Sequence, residues 1–194
     1  NTLLWRRYCL AKGAIVEECA SEEAPWDFVA VDLLSNDSLD DPLDASCNEW
    51  RVFHGTSRAA AKDICNSSFQ MTYAGTGATW KVAGSEKGLP LYGYGVYGAE
   101  HITKADEYSR PVFDTETGVE LYSALVVRCV GGRAKCVTTN DINAEQLRKD
   151  VFEGPYHSVL GDRVSRLKKP FREVVLYDKD QCFPEFLLMY ERHY

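Results

Sequence analysis

Between residues 74 and 95 the chain carries Gly75, Gly77, Gly84, Gly88, Pro90, Gly93 and Gly95. Glycine loses more backbone freedom on ordering than any other residue, and proline cannot donate a ladder hydrogen bond. A stretch this dense in both predicts a long loop, not a helix or strand. Long ordered loops inside compact domains commonly carry function. Whatever this chain folds into must therefore hold a long irregular segment near its middle.

The remaining composition is that of an ordinary globular protein. The chain has 194 residues, 45% hydrophobic and 26% charged. These values argue against disorder, collagen and coiled coil, and the length suits a single domain spanning 1–194. No apolar run approaches the roughly 18 residues of a membrane span, so no membrane is expected as a partner. The longest, Ser123-Ala124-Leu125-Val126-Val127, has strand length. Asn1 is not a start methionine and no secretory signal follows it, so the chain reads as an excised or processed piece.

Charge is unevenly spread. Residues 1–50 hold three bases (Arg6, Arg7, Lys12) and eleven acids, whereas the rest holds 19 bases and 18 acids. Without a basic face, direct DNA binding is not expected. The acidic residues predict a solvated surface loop. Seven cysteines (Cys9, Cys19, Cys47, Cys65, Cys129, Cys136, Cys182) are scattered without any CxxC pair. That spacing offers no zinc site, and no metal is expected. Scattered thiols fit a reducing compartment, hence an intracellular protein, nuclear or cytoplasmic. Extracellular disulfides would leave one thiol over.

The local pattern is α+β. Leu4, Tyr8 and Ala11 share a face and predict an entry helix that Gly13 could end. Residues 34–48 are rich in turn formers and predict a loop, completing an acidic helix-and-loop portion over 1–48. From residue 49 a strand-rich core is expected. Trp50–Phe53, Leu121–Val130, Glu173–Tyr177 and Phe186–Tyr190 read as strands. Ser57 can cap a helix over Arg58–Asn66, and Thr103, with Asp106 three residues on, reads as the cap of another.

Four features could carry chemistry. Gly93-Tyr94-Gly95-Val96-Tyr97-Gly98 spells the dinucleotide fingerprint GxGxxG, but no strand precedes it and the next helix begins too late to place pyrophosphate on its N-terminus. The Rossmann reading is rejected. His54-Gly55-Thr56 can present an imidazole beside a bare backbone. Tyr97 and Tyr108 can enclose a flat ring. Glu173 places a carboxylate at the mouth of a buried strand. Taken singly, each has a plain structural account: a hydrogen-bonded strand-end histidine, two core tyrosines, a solvated strand-end acid.

In sequence order, however, the features form a pattern. His-Gly-Thr follows Trp-Arg-Val-Phe. Gly-Tyr-Gly-Val-Tyr-Gly-Ala-Glu, Thr-Lys-Ala-Asp-Glu-Tyr, Leu-Val-Val-Arg and Arg-Glu-Val-Val-Leu-Tyr-Asp come next, with Pro-Glu-Phe-Leu behind. This resembles the catalytic domain of the poly(ADP-ribose) polymerase-like, diphtheria-toxin-like ADP-ribosyltransferases over nearly the whole chain, including the opening Asn-Thr-Leu-Leu-Trp-Arg-Arg-Tyr. The resemblance implies the ADP-ribosyltransferase fold, two packed, mostly antiparallel sheets with flanking helices and an NAD cleft. It implies a triad of His54, Tyr97 and Glu173, with His54 on a ribose hydroxyl and Gly55 pairing its backbone with the nicotinamide amide. Tyr97 and Tyr108 would enclose the nicotinamide ring, with Thr56 beside it. A donor loop would occupy about 74–91, and an acceptor-side segment about Arg133 to Pro170.

Two positions depart from the family pattern. An aromatic often follows the triad tyrosine, where Gly98 stands here. A serine that bonds the nicotinamide amide in the best-known members is matched by Ala105, a loss of one hydrogen bond worth about 0.5–1.5 kcal/mol. The helical regulatory domain of DNA-responsive members has no counterpart in these residues.

The implied activity is transfer of ADP-ribose from NAD+ to a protein or other acceptor, singly or as a polymer, with nicotinamide released and no metal required. The arginine-specific toxin class is disfavoured because the chain contains no Glu-x-Glu. Two alternatives stand beside it. One is a catalytically weak NAD or ADP-ribose-binding module on the same fold. The other is an NAD glycohydrolase that uses water as acceptor.

Overall fold

Eight strands and four α-helices define an α+β architecture in a computed structural model, which describes residues 1–21, 28–73, 90–162 and 171–193. In chain order the elements are α1 (Thr2–Ala20), β1 (Glu49–Gly55), α2 (Arg58–Ser67), β2 (Val96–Ala99), α3 (Ile102–Asp106), β3 (Val112–Asp114), β4 (Val119–Val130), β5 (Ala134–Val137), α4 (Ala144–Phe152), β6 (Ser158–Asp162), β7 (Arg172–Leu176) and β8 (Cys182–Tyr190). The region 34–48 is a loop broken by two short 3-10 turns, Leu34–Ser38 and Ala45–Cys47.

The strands lie in the order β3-β4-β1-β2-β7-β6-β5, with β8 also on β4. Every pairing is antiparallel except β5 with β6. The two packed sheets expected from the sequence are joined into one eight-stranded sheet, seven strands in one path and β8 branching from β4. The path is nearly severed in the middle, however. A single register pair, Phe53↔Ala99, joins β1 to β2, and beyond it the two halves part. One core lines both halves: Trp50, Val52, Leu125 and Val127 from the first, Val96, Leu160, Val174 and Leu176 from the second. On the opposite face of the second half, Val175 packs with Tyr92, Leu147, Val159 and Tyr177. β7 is thus buried on both faces, which accounts for its unbroken apolar sequence.

Helix boundaries differ from expectation at two places. α1 runs through Gly13, whose α-carbon faces open space. Ile15, Val16 and Cys19 then pack against Cys47, Val130 and Phe183. Burying one isoleucine, at about 1.5–3 kcal/mol, outweighs the roughly 1 kcal/mol cost of a helical glycine. α3 starts one residue before Thr103. His101 is its cap residue, its carbonyl accepting from the N–H groups of Lys104 and Ala105 at 3.1 and 3.3 Å, and Thr103 lies exposed within the helix. Ser57 caps α2 as expected, its Oγ accepting from the Ala60 N–H at 3.2 Å.

The acidic portion is not simply a solvated loop. Asp37 and Asp40 are exposed, but Asp41 and Glu49 reach buried arginines. Arg51 and Arg128 face each other across β1 and β4, and both are buried. Glu185 binds Arg51 Nε at 2.8 Å, and Glu49 binds Arg128 Nε at 2.9 Å. Asp41 bonds both guanidinium groups. The Tyr8 hydroxyl and Lys12 ammonium donate to Glu49 at 2.6 and 2.9 Å, tying α1 to the same cluster.

Burial alone would raise the Glu49 carboxyl, but hydrogen bonds from Arg128, Tyr8, Lys12 and the Asp44 N–H hold it down at about 2. A carboxyl depressed by folding stabilises the fold above its unfolded value, and that contribution disappears as pH falls through the folded value. Unfolding free energy should therefore decline between about pH 4.5 and pH 2, by up to about 3 kcal/mol from this group. In urea titrations across that range, Glu49→Gln should show a visibly flatter acid limb. An equally steep limb in the variant would assign the acid sensitivity to other groups.

Candidate functional site

The predicted site residues gather where the sheet splits. After Phe53↔Ala99 a continued ladder would bring Gly55 opposite Tyr97. Instead the Nδ1 of His54 lies 2.8 Å from the Tyr97 carbonyl oxygen, so a side chain replaces the missing ladder bond. A carbonyl only accepts, so Nδ1 carries the hydrogen and Nε2 keeps its lone pair as an acceptor. Burial lowers the His54 pKa, opposed by the bond to the Tyr97 carbonyl, and the ring is neutral at physiological pH. Phe69 packs edge-on against the imidazole at 5.2 Å.

Gly55 is the next residue. The Thr56 N–H bonds the Ser123 carbonyl of β4 at 3.4 Å. Neighbouring residues of an antiparallel strand point their backbone groups to opposite edges. The N–H and C=O of Gly55 therefore face away from β4, toward the split. Its α-carbon is pressed against α3, where a Cβ would lie 1.7 Å from the Ala105 carbonyl oxygen. Ala105 is itself buried, and as an alanine it offers no hydrogen-bonding side chain. Tyr108 follows α3, half-buried, its N–H donating to the Ala105 carbonyl at 3.0 Å. Thr56 is also half-buried.

The Tyr97 hydroxyl is already engaged. It donates to the Gly93 carbonyl at 2.7 Å and accepts from the Tyr92 N–H at 3.0 Å, pinning the turn before β2. Burial raises its pKa, with a smaller push from the charge of Glu173, so the phenol stays protonated. Tyr97 can thus offer a ring face but not an acid or base.

Glu173 stands on the adjacent strand, opposite Ala99, with Val175 opposite Tyr97. It is half-buried, at the open end of β7. Burial works against the Lys104 ammonium of α3, but its bond to Glu107 and the charge of Glu173 raise its pKa overall. Lys104 Nζ sits 5.4 Å from the centroid of the Tyr108 ring and 5.8 Å from that of Phe171. The next residue, Arg172, is tied to Glu100, with Nε 2.9 Å from Oε2.

His54 and Tyr97 are thus in contact, Glu173 lies one strand over, and α3 closes on Gly55. Sequence reasoning did not single out Phe69, Lys104 or Phe171. Lys104 had a visible signal in the Thr-Lys-Ala-Asp-Glu-Tyr run; Phe69 and Phe171 had none. Gly98, where an aromatic was expected, faces Val52: a Cβ there would lie 2.3 Å from the Val52 Cγ2, so the departure belongs to the core. The GxGxxG glycines precede and enter a strand, and no helix opens at Gly98. Residues 74–89 of the expected donor loop and 163–170 of the acceptor-side segment lie outside the described residues.

Two cavities, of about 470 and 510 Å³, border α1 and the 30–50 segment, and neither is lined by His54, Tyr97 or Glu173. Among the described residues no group of three or more His, Cys, Asp and Glu could hold a metal ion. No described helix is long and apolar enough to cross a membrane. Compared with known proteins, the chain matches no family model and no curated protein.

Gly55→Ala should destabilise the fold by about 1–3 kcal/mol, because the added carbon meets a backbone carbonyl. Trimming Ala105 to glycine in the same chain should bring no rescue, since its methyl is not what clashes. Urea midpoints of the two variants would check this; a Gly55→Ala protein as stable as the parent would show that α3 yields freely.

Proposed function

We propose that this chain is an NAD+-dependent ADP-ribosyltransferase with the ADP-ribosyltransferase fold, its NAD cleft being the split between the sheet halves. The observation that carries the reading is the His54 Nδ1 to Tyr97 carbonyl bond. It leaves Nε2 as an acceptor for a ribose hydroxyl while Gly55 turns its N–H and C=O toward the same gap. A backbone N–H and C=O side by side suit a primary carboxamide, which needs one acceptor and one donor. Tyr97 and Tyr108 supply ring faces for the nicotinamide.

Glu173 would accept a hydrogen bond from the ribose 2′-hydroxyl and set negative charge beside the developing oxocarbenium ion, as carboxylates do in glycoside hydrolysis. The C1′–N bond breaks with its electron pair, so the positively charged ring leaves as neutral nicotinamide. The acceptor oxygen or nitrogen bonds C1′ and gives up its proton. Held at both ends, the ribose carbon can travel the short distance to the nucleophile.

The acceptor is a protein, another ADP-ribose or a nucleic-acid end, in a nuclear or cytoplasmic setting. The buried methyl of Ala105 favours a second reading, a weak NAD or ADP-ribose-binding module, because one amide contact of the family is missing. Free ADP-ribose without labelled protein would mark instead a glycohydrolase.

Intact-mass spectrometry after incubation with NAD+ tests the proposal. The parent chain should release nicotinamide and add ADP-ribose to itself or to an acceptor mixture. Glu173→Gln should keep NAD+ binding yet lose transfer by a hundredfold or more, in line with removal of a charge-stabilising group. Undiminished transfer by that variant would remove Glu173 from the mechanism. His54→Ala should weaken NAD+ binding about tenfold in calorimetry, the worth of one good hydrogen bond.

A further inference from the structure

We propose that Tyr190 and Arg192 are positioning residues that clamp α3 through Asp106 and so set the nicotinamide wall of the site. The inference rests on the ADP-ribosyltransferase reading and assigns a task to the end of β8 within it.

α3 has five residues and no side-chain cap bond. A helix of one turn cannot hold its own shape, because nucleation costs more than its few hydrogen bonds return. Its position must come from outside. Arg192 supplies two bonds to a residue 86 positions earlier: Nε to the Asp106 carboxylate at 2.9 Å and Nη2 to the Asp106 carbonyl at 2.8 Å. The Tyr190 hydroxyl donates to the Asp106 carboxylate and lies 3.1 Å from the Ser109 hydroxyl, which donates to the Ser123 carbonyl at 2.7 Å. The Arg192 guanidinium also stacks 3.8 Å over the Tyr122 ring, and Tyr122 stacks on Tyr190. β8, β4 and α3 are joined in one network whose centre is Asp106.

The residues flanking Asp106 form one wall of the split. Ala105 puts its carbonyl on Gly55, Lys104 lies by Tyr108, and the Tyr108 N–H bonds back to Ala105. Loosening the clamp would shift Tyr108 and Ala105 relative to Gly55. Tyr108 and Gly55 are groups proposed to hold the nicotinamide end of NAD+. His54, on β1 and bonded to Tyr97, does not depend on Asp106. The clamp should therefore govern nicotinamide and leave the ADP-ribose half unaffected.

Calorimetry with three probes, NAD+, nicotinamide and ADP-ribose, tests this on Tyr190→Phe, Arg192→Met and Arg192→Lys, with thermal unfolding alongside. Tyr190→Phe and Arg192→Met should each bind nicotinamide and NAD+ about tenfold more weakly and ADP-ribose as the parent does. Arg192→Lys, keeping the charge at Asp106, should recover part of the loss. If the parent binds ADP-ribose and nicotinamide but the variants lose both equally, or lose neither, the clamp is purely structural and the inference fails. A parent chain that binds none of the three would overturn the functional reading itself, and the clamp proposal with it.

Discussion

Two buried arginines placed face to face constrain this fold more than any other interaction. Arg51 and Arg128 occupy opposite positions of the β1–β4 ladder, where like charges repel. Arg51 is cut off from water and Arg128 nearly so. The arrangement holds only because Asp41, Glu49 and Glu185 arrive from the 34–48 loop, from β1 and from β8 to neutralise them. Removing Glu49 or Glu185, the two acids shielded from solvent, would leave buried charge uncompensated, a loss of about 3–5 kcal/mol in comparable pairs. Such a cluster is weak evidence for stability and better evidence for register. A slip of β1 by one residue would turn Arg51 into the apolar core and carry His54 away from Tyr97.

The split beyond Phe53 follows from how the two halves are filled. Val52 and Gly98 meet so closely that no side chain fits at the glycine, and Gly55 meets the Ala105 carbonyl in the same way. These glycines mark the places where layers touch backbone to neighbour. Between them the ladder is interrupted, and His54 bridges the interruption with its ring. The imidazole thus has a structural task, ending the pairing of β1 with β2, that also fixes its tautomer. A ligand entering the split meets an acceptor nitrogen whose orientation is already determined by the fold.

The motifs that nominate the candidate site were more legible in the sequence than the architecture around them. His54, Gly55, Tyr97 and Glu173 lie in short motifs whose order along the chain was readable. Strand β7 was readable because burial on both faces leaves an unbroken apolar run. β2 was hidden inside the glycine-rich run, because Gly98 answers to Val52, a distant neighbour, and not to its own local preference. α1 was cut short at Gly13 for the same reason, since Ile15 and Cys19 pack with Cys47, Val130 and Phe183, all distant in the chain. The acids at 41 and 49 looked like a solvated surface because their arginine partners lie on strands whose register no local pattern reveals. Asp106 was legible only as part of a helix-cap signal and Tyr190 only as the end of a strand; their link through Arg192 was not, because a salt bridge spanning 86 positions leaves no periodicity.

The charge around the split bears on the proposed donor. His54 is neutral and Tyr97 keeps its proton, both through burial. Alternation along β7 turns Arg172 to the face opposite Glu173, where Glu100 neutralises it. Lys104 brings positive charge, but Glu107 binds it at 2.7 Å. The carboxylate of Glu173 makes its charge felt at both the Lys104 ammonium and the Tyr97 phenol, raising the pKa of each. Negative charge with flat apolar walls suits a planar cation, and it suits still better a sugar carbon that becomes cationic as its bond breaks. The proposed donor has both features, a charged nicotinamide ring and a ribose whose transition state carries the charge inward. The same field that helps bind the ring would then strengthen as the reaction proceeds, which is the condition for a binding site to become a catalytic one.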